Sequence, residues 1–347
     1  MKEKYIDEGS YGCVLYPGKR CKDNKKIRKS IVKIFKSKRS YEEEVLLHKK
    51  IENIFENNKK CIVNIIDNCE KSINIYEKEN YSKCKSTYKY DEQKIYQIIY
   101  QYGGKDLVFI SETKNTRFTK IFFSLSNIFD AIILLNKKNY IHFDIRLPNI
   151  LYDKNSTKLI DFGLLLKYSE IKYQYFDSNE ARFEYPPELQ KYNYKDLYVY
   201  FIHNINILLI NSKSKNNKLL LEFLNFFEKL KTNFKNSDYV EKEIIYNKVD
   251  VYMLGTVILH FILAMFENNN IIDLNIIEFQ NILKLVYNMT HYDNVIRLTP
   301  ENAFIVYKDL VYKIKNKLSL NTSNIKQNKK SNYKLSNTKS KYQMKEI

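Results

Sequence analysis

Between residues 5 and 35, apolar and polar positions alternate with β-branched residues on the apolar beats. This two-residue period predicts strands in IDEGSYGCVLYPG and SIVKIFK. The period then lengthens. From Tyr41 to Phe55, the positions Leu47, His48, Ile51 and Phe55 fall on one helical face behind three consecutive glutamates, Glu42 to Glu44. Two further strand-like runs, CIVNII and KIYQIIYQY, flank a polar stretch over 70–92. After YGGKDL the pattern turns to long helical segments, Phe118 to Lys138 and Val249 to Phe266. A β-rich front (1–103) and a helical back (104–315), joined near Gly103–Gly104, predict two lobes. Residues 189–246 read as an insertion in the second lobe. The stretch 316–347 lacks periodicity and reads as a disordered tail. No internal repeat is present.

Composition changes this picture little. The 347 residues are 44% hydrophobic and 28% charged, which fits a globular chain with one large core or two lobes. The formal charge of +18 makes nucleic acid, anionic lipid or acidic protein segments candidate partners, set against a plain Lys-rich solvated surface. The tail from Asn321 carries seven Lys against one Glu, so part of that charge is local. It could bind nucleic acid or acidic substrates through salt-dependent contacts, or simply solubilise the chain. The richness in Lys, Asn, Ile and Tyr matches A/T-rich codons, so polar runs such as KNNKLLL carry no functional weight. Five cysteines, odd in number and without a CxxC pair, suit reduced intracellular thiols better than a disulfide framework or a zinc site. MKEKYIDEG has no apolar stretch of the signal-peptide kind, and the longest apolar run, around Thr256 to Phe266, is short for a bilayer. The expected setting is cytoplasmic or nuclear.

The chemistry concentrates in YIHFDIRLPNILY, residues 140–152, where Asp144 and Asn149 interrupt a run of Ile and Leu. Phosphoryl transfer from ATP needs a group to orient or accept from the incoming hydroxyl, and a divalent metal on the phosphates. Asp144 suits the first task. Asn149, with Asp161 of LIDFG, suits the second, because Mg2+ takes hard oxygen ligands and few protein contacts. The spacing H-x-D-x-x-x-x-N, with D-F-G twelve residues on, resembles the catalytic loop and metal motif of eukaryotic-type protein kinases.

That resemblance implies an α+β, bilobal protein-kinase-like fold, with one main helix in the small lobe, and it finds partners along the chain. GSYGCV resembles the Gly-rich loop, which would place Ile6, Gly9, Ser10, Tyr11, Gly12 and Val14 over the nucleotide; Asp7 stands for the family's first Gly. Lys33 of IVKIF lies where the family's phosphate-contacting Lys would be. Glu44, or its neighbour Glu43, matches that residue's ion-pair partner. In QYGGKDL, Gln101 to Gly103 would offer hinge backbone to adenine, Asp106 would reach the ribose, and Tyr100 would stand at the back of the adenine pocket. Pro186-Pro187-Glu188 resembles the end of the activation segment. Asp250 matches the buried Asp that opens a central helix, and Arg297 the family's partner of Glu188. Small-molecule phosphotransferases generally lack those last features. His48 and His142 read as core scaffold residues.

Three departures qualify the likeness. Phe143 replaces the Arg that usually pairs with a phosphorylated activation-loop residue, so the activation segment must be ordered by packing or by a partner. Arg146 stands where Ser/Thr-type kinases carry Lys, which favours Ser/Thr acceptors with altered phosphate geometry. Ala181 replaces the usual Thr in ARFEYPP. GSYGCVLYPGKRC is also similar to the kinases of nucleocytoplasmic large DNA viruses, implying a host-cytoplasm or virion setting. The expected activity is ATP- and Mg2+-dependent phosphorylation of protein Ser/Thr hydroxyls. The alternatives are a non-catalytic kinase-like scaffold and a small-molecule kinase of the same broad fold.

Overall fold

The computed structural model describes residues 4–9, 12–18, 21, 25–35, 37–72, 94–170, 185–189, 195–211, 217–234 and 246–319. Ser10, Tyr11, Ala181 and the tail beyond residue 319 lie outside the described residues.

The front of the chain forms an antiparallel sheet from β1 (Lys4–Gly9), β2 (Gly12–Tyr16), β3 (Ser30–Phe35), β4 (Ile65–Ser72) and β5 (Lys94–Gln101), in the order β1-β2-β3-β5-β4. Register pairs Ile31 with Tyr100 and Lys33 with Ile98. Alternation therefore puts Ile31, Lys33, Phe35, Ile98 and Tyr100 on one face, and Val32, Ile34 and Ile99 on the other. The second face closes over Cys13, Leu15 and Ile95. The first receives Tyr41 and Val45 of helix α1 (Lys38–Ile54). Ser37 caps α1 by accepting the Ser40 N–H at 3.2 Å. At the other end Phe55 is fully buried in the large core of the second lobe, so α1 touches both lobes.

The polar stretch predicted from residue 70 begins later than expected. β4 starts at Ile65, not Cys61, and continues to Ser72 because it pairs with β5 throughout, closed at its end by a Lys94–Glu70 ion pair of 2.6 Å. Residues Lys59–Cys61 form a short 3-10 turn, and Ile62 bridges to Leu159 instead. The expectation of reduced thiols is overturned. Cys21 and Cys69 form a disulfide, their Cα atoms 6.0 Å apart. The Cys21 N–H donates to Asp67 at 3.1 Å, which draws the segment after β2 against β4, a proximity that linear spacing does not reveal. Cys13 is also disulfide-bonded. Among the described residues Cys61 is free and buried.

Past the Gly103–Gly104 junction, β6 (Lys105–Asp106), β8 (Ile150–Asp153) and β9 (Ser156–Leu159) make a small sheet, and β7 (Tyr140–Ile141) pairs with β10 (Leu166–Lys167). The rest is helical: α2 (Leu107–Glu112), α3 (Phe118–Ser124), α4 (Ser126–Lys137), α5 (Lys195–Asn211), α6 (Asn217–Phe234), α7 (Val249–Glu267), α8 (Ile276–Met289) and α9 (300–319). The single helix expected over Phe118–Lys138 is split at Leu125, whose N–H bonds Phe122 at a three-residue step. α7 is apolar all round and almost wholly buried, as the central helix of the lobe must be. Among the described residues two segments, Phe118–Lys137 and Tyr246–Glu267, are long and apolar enough to cross a membrane by length and composition. Their apolar windows are 61% and 89% buried inside the protein, which marks them as core helices. The stretch read as an insertion carries α5 and α6, whose Phe201, Phe223 and Phe227 are buried; Phe223 meets Phe266 of α7 and Phe279 of α8. It is thus part of the lobe's core. α9 also runs to 319, four residues into the stretch read as tail.

Candidate active site

On the lysine-bearing face of the sheet, Lys33 Nζ lies 3.1 Å from Glu44 Oε1. The alternative, Glu43, is turned to solvent and pairs with Arg39 Nε at 2.8 Å. The hydroxyl of Tyr100 donates to that same Glu44 oxygen at 2.8 Å, a contact for which the sequence offered only a bulky residue at the right place. In the β1–β2 hairpin, Gly9 pairs with Gly12, and a Cβ on Gly12 would clash with the Ile34 carbonyl. The register steps from Tyr5–Leu15 to Asp7–Val14, so Ile6 is the extra, exposed residue of a bulge, while Val14 is half-buried. At the hinge, the Gln101 N–H bonds Asn64 O and the Tyr102 N–H bonds Lys29 O, at 2.9 and 2.7 Å, which fixes the strand. A side chain on Gly103 would press on Leu151 and Val63, and Gly104 has φ +110°, so both glycines are required by the crossing. Asp106 caps α2 by accepting the Phe109 N–H at 2.8 Å, which holds its carboxylate just past the hinge.

The catalytic-loop candidate hangs from Asp250 in the first turn of α7. Its carboxylate accepts the N–H groups of His142 and Phe143 at 2.8 and 3.1 Å. Burial, only partly offset by those two N–H groups, raises the Asp250 carboxyl to about 6. Burial also pushes the His142 imidazole down to about 4. Its Nδ1 accepts the Asp144 N–H at 3.2 Å, so in the neutral ring the proton sits on Nε2, 3.2 Å from Ile160 O. Asn149 Nδ2 donates to both the carbonyl and Oδ2 of Asp144, at 2.8 and 2.7 Å. Arg146 Nε stands 3.2 Å from Asp144 Oδ1 as an ion pair, without the alignment of a hydrogen bond. The Asn149 carbonyl takes the Ile160 N–H at 3.0 Å, which sets Asp161 beside Asn149. Asp161 is exposed, at φ +61°, while the next ring, Phe162, is buried against His142 (4.7 Å) and Phe55 (5.9 Å). One amide oxygen and one carboxylate suit a hard divalent cation that keeps its other ligands from water and phosphate, so this pair fits Mg2+.

Two contacts hold the end of the activation segment. Arg297 donates to both oxygens of Glu188, at 2.7 and 2.9 Å; the two side chains are 0% and 4% exposed. Arg297 also donates to His291 O and lies over the Tyr252 ring. Phe143, at φ +63°, stacks on Tyr185 with ring centroids 4.8 Å apart. The sequence shows only that Phe143 carries no charge; the stack has no linear signal.

A family model described as protein tyrosine and serine/threonine kinase matches residues 1–200, more than half of the chain. The chain belongs to this kinase family. No curated protein matches it. Membership supports ATP binding and phosphotransfer to proteins as the business of this domain. Asp250 and Arg297 lie beyond the matched residues, and their contacts back to Phe143 and Glu188 extend the kinase architecture through the helical lobe.

Proposed function

We propose that the chain is an active protein Ser/Thr kinase that uses Mg2+ and ATP. The observation that carries this reading is that the Lys33–Glu44 ion pair stands formed while Asn149 orients Asp144 in the same structure. Phosphoryl transfer is mostly positioning and charge stabilisation, so this set is what the reaction requires of the protein. Asp144 orients the substrate hydroxyl and accepts from it. Lys33, held by Glu44, contacts the nucleotide phosphates, and Asn149 and Asp161 would hold Mg2+, whose charge offsets that of the phosphates. Arg146, paired with Asp144 at 3.2 Å and 43% exposed, would contact the transferred group. That Arg, two residues after Asp144, is also what favours Ser/Thr acceptors.

The narrower likeness of GSYGCVLYPGKRC to kinases of large DNA viruses supports the host cytoplasm or the virion as the setting. A Cys21–Cys69 disulfide favours the virion, where thiols are not kept reduced. The net charge of +18 suits acidic substrates or partners. The test is purified protein with Mg2+ and ATP on a generic protein mixture, with phosphoamino-acid analysis of the product. We expect phosphoserine and phosphothreonine from the wild type, and losses of a hundredfold or more in Asp144→Asn and Asp161→Ala, both still folded. Wild-type protein that transfers nothing, or an Asp161→Ala variant of normal activity, would overturn it.

A further inference from the structure

Among the described residues three hydrogen bonds fasten α1 to the sheet, and all come from one face of the helix. Tyr41 Oη donates to Asn68 Oδ1 of β4 at 2.8 Å. Glu44 Oε1 accepts the Tyr100 hydroxyl of β5 at 2.8 Å. His48 Nε2 accepts the Ile65 N–H of β4 at 3.1 Å. Residues 41, 44 and 48 are spaced by three and four, so each tie fixes the same rotation of the helix.

The middle tie differs from the others in what it touches. Glu44 Oε1 is the oxygen that faces Lys33 Nζ at 3.1 Å, so a hydroxyl and an ammonium share one carboxylate oxygen. Tyr100 itself has little freedom. It is 9% exposed, it sits between Ile31 and Ile65 across the two ladders, and its ring meets the edge of His48 at 5.8 Å. Burial and the adjacent Glu44 raise its phenol well above the ordinary range, so it is a permanent neutral donor. A phenylalanine would fill the same space. The hydroxyl adds one thing, a fixed point for the carboxylate.

We propose that Tyr100 is a positioning residue: its hydroxyl holds Glu44, and with it α1, in the setting that pairs with Lys33, so the nucleotide site is assembled without an outside activator. The inference rests on the proposed kinase activity for its meaning but is tested by nucleotide binding. The informative variant is Tyr100→Phe, which removes only the oxygen, taken alone and in a Glu44→Ala background. Thermal melting establishes that each variant is folded. The affinity for Mg·ATP is then titrated directly, and kcat is measured beside it. A hydrogen bond to a charged group supports an expected loss of about tenfold in Mg·ATP affinity for Tyr100→Phe, and no further loss once Glu44 is gone. A wild type that binds nucleotide but transfers no phosphate would sink the proposed activity and leave the binding cycle to judge Tyr100. Tyr100→Phe binding within twofold of wild type would overturn the inference. So would an equal loss in the Glu44→Ala background, since a packing defect acts without Glu44.

Discussion

Phe143 occupies the place where the family's usual Arg answers to a phosphate, and replacing it by Ala measures what stands there instead. The ring is 7% exposed and stacked on Tyr185, one residue before the Pro186-Pro187-Glu188 turn. Truncating a buried Phe costs about 3–5 kcal/mol. Tyr185 is only half-buried and the site can partly collapse, so a value of about 3 kcal/mol is expected. Of this, about 0.5–1.5 kcal/mol belongs to the aromatic pair, and a double-mutant cycle with Tyr185→Leu in urea denaturation isolates it. The functional expectation is stricter. Because packing anchors the segment, wild-type activity is unchanged by phosphatase treatment, whereas Phe143→Ala loses activity beyond its unfolded fraction. A coupling below about 0.3 kcal/mol, which is within ordinary additivity, would refute the stack as an anchor. Abolition of wild-type activity by phosphatase would refute the packing mechanism altogether.

The other expectations concern buried charge. Glu188→Leu leaves the Arg297 guanidinium fully buried and unpaired, and should cost about 3–5 kcal/mol in denaturant midpoint analysis. The joint Glu188→Leu, Arg297→Met variant should recover most of that, because two matched apolar groups leave no lone charge. Asp250 and His142, joined by a backbone hydrogen bond, pull stability in opposite directions across one pH window. Asp250, raised to about 6 from 3.8, contributes stability that is full below pH 4 and lost as pH rises to about 6. His142, lowered to about 4 from 6.5, contributes stability that is full above pH 6.5 and lost as pH falls to about 4. Wild-type stability should therefore change little from these two groups between pH 4 and 6. His142→Asn should unmask a decline with rising pH, and Asp250→Asn a decline with falling pH, both read from unfolding midpoints.

What could be read from the sequence divides along a physical line. Most strand and helix periods, the two-glycine junction and the order of Lys33, Glu44, Asp144, Asn149 and Asp161 are local or ordered features, and the elements stand near where the periods put them, the late start of β4 and the break at Leu125 apart. Register then decides matters that no period encodes. Pairing of Lys33 with Ile98 sends the lysine to the α1 face, and a single residue step along α1, a rotation of about 100°, separates Glu44, which meets it, from Glu43, which meets solvent. Contacts made across long loops stayed hidden. The Cys21–Cys69 disulfide, the Phe143–Tyr185 stack and the burial of α5 and α6 each join residues whose approach depends on the finished fold. The compositional bias toward Lys, Asn, Ile and Tyr hid α6 as well, because NKLLLEFLNFFEKL sits in a background of similar runs. Its apolar residues nonetheless repeat at helical spacing, and Leu220, Phe223 and Phe227 are the ones buried. The hidden contacts are largely about holding the machinery, and the visible ones about its chemistry. The substitution at 143 belongs to both. It removes a charge that chemistry does not need, and it supplies a ring that closes the loop onto Tyr185. Absence of the family's arginine and presence of a packing contact to Tyr185 are one change, and it is the physical basis of the phosphatase prediction.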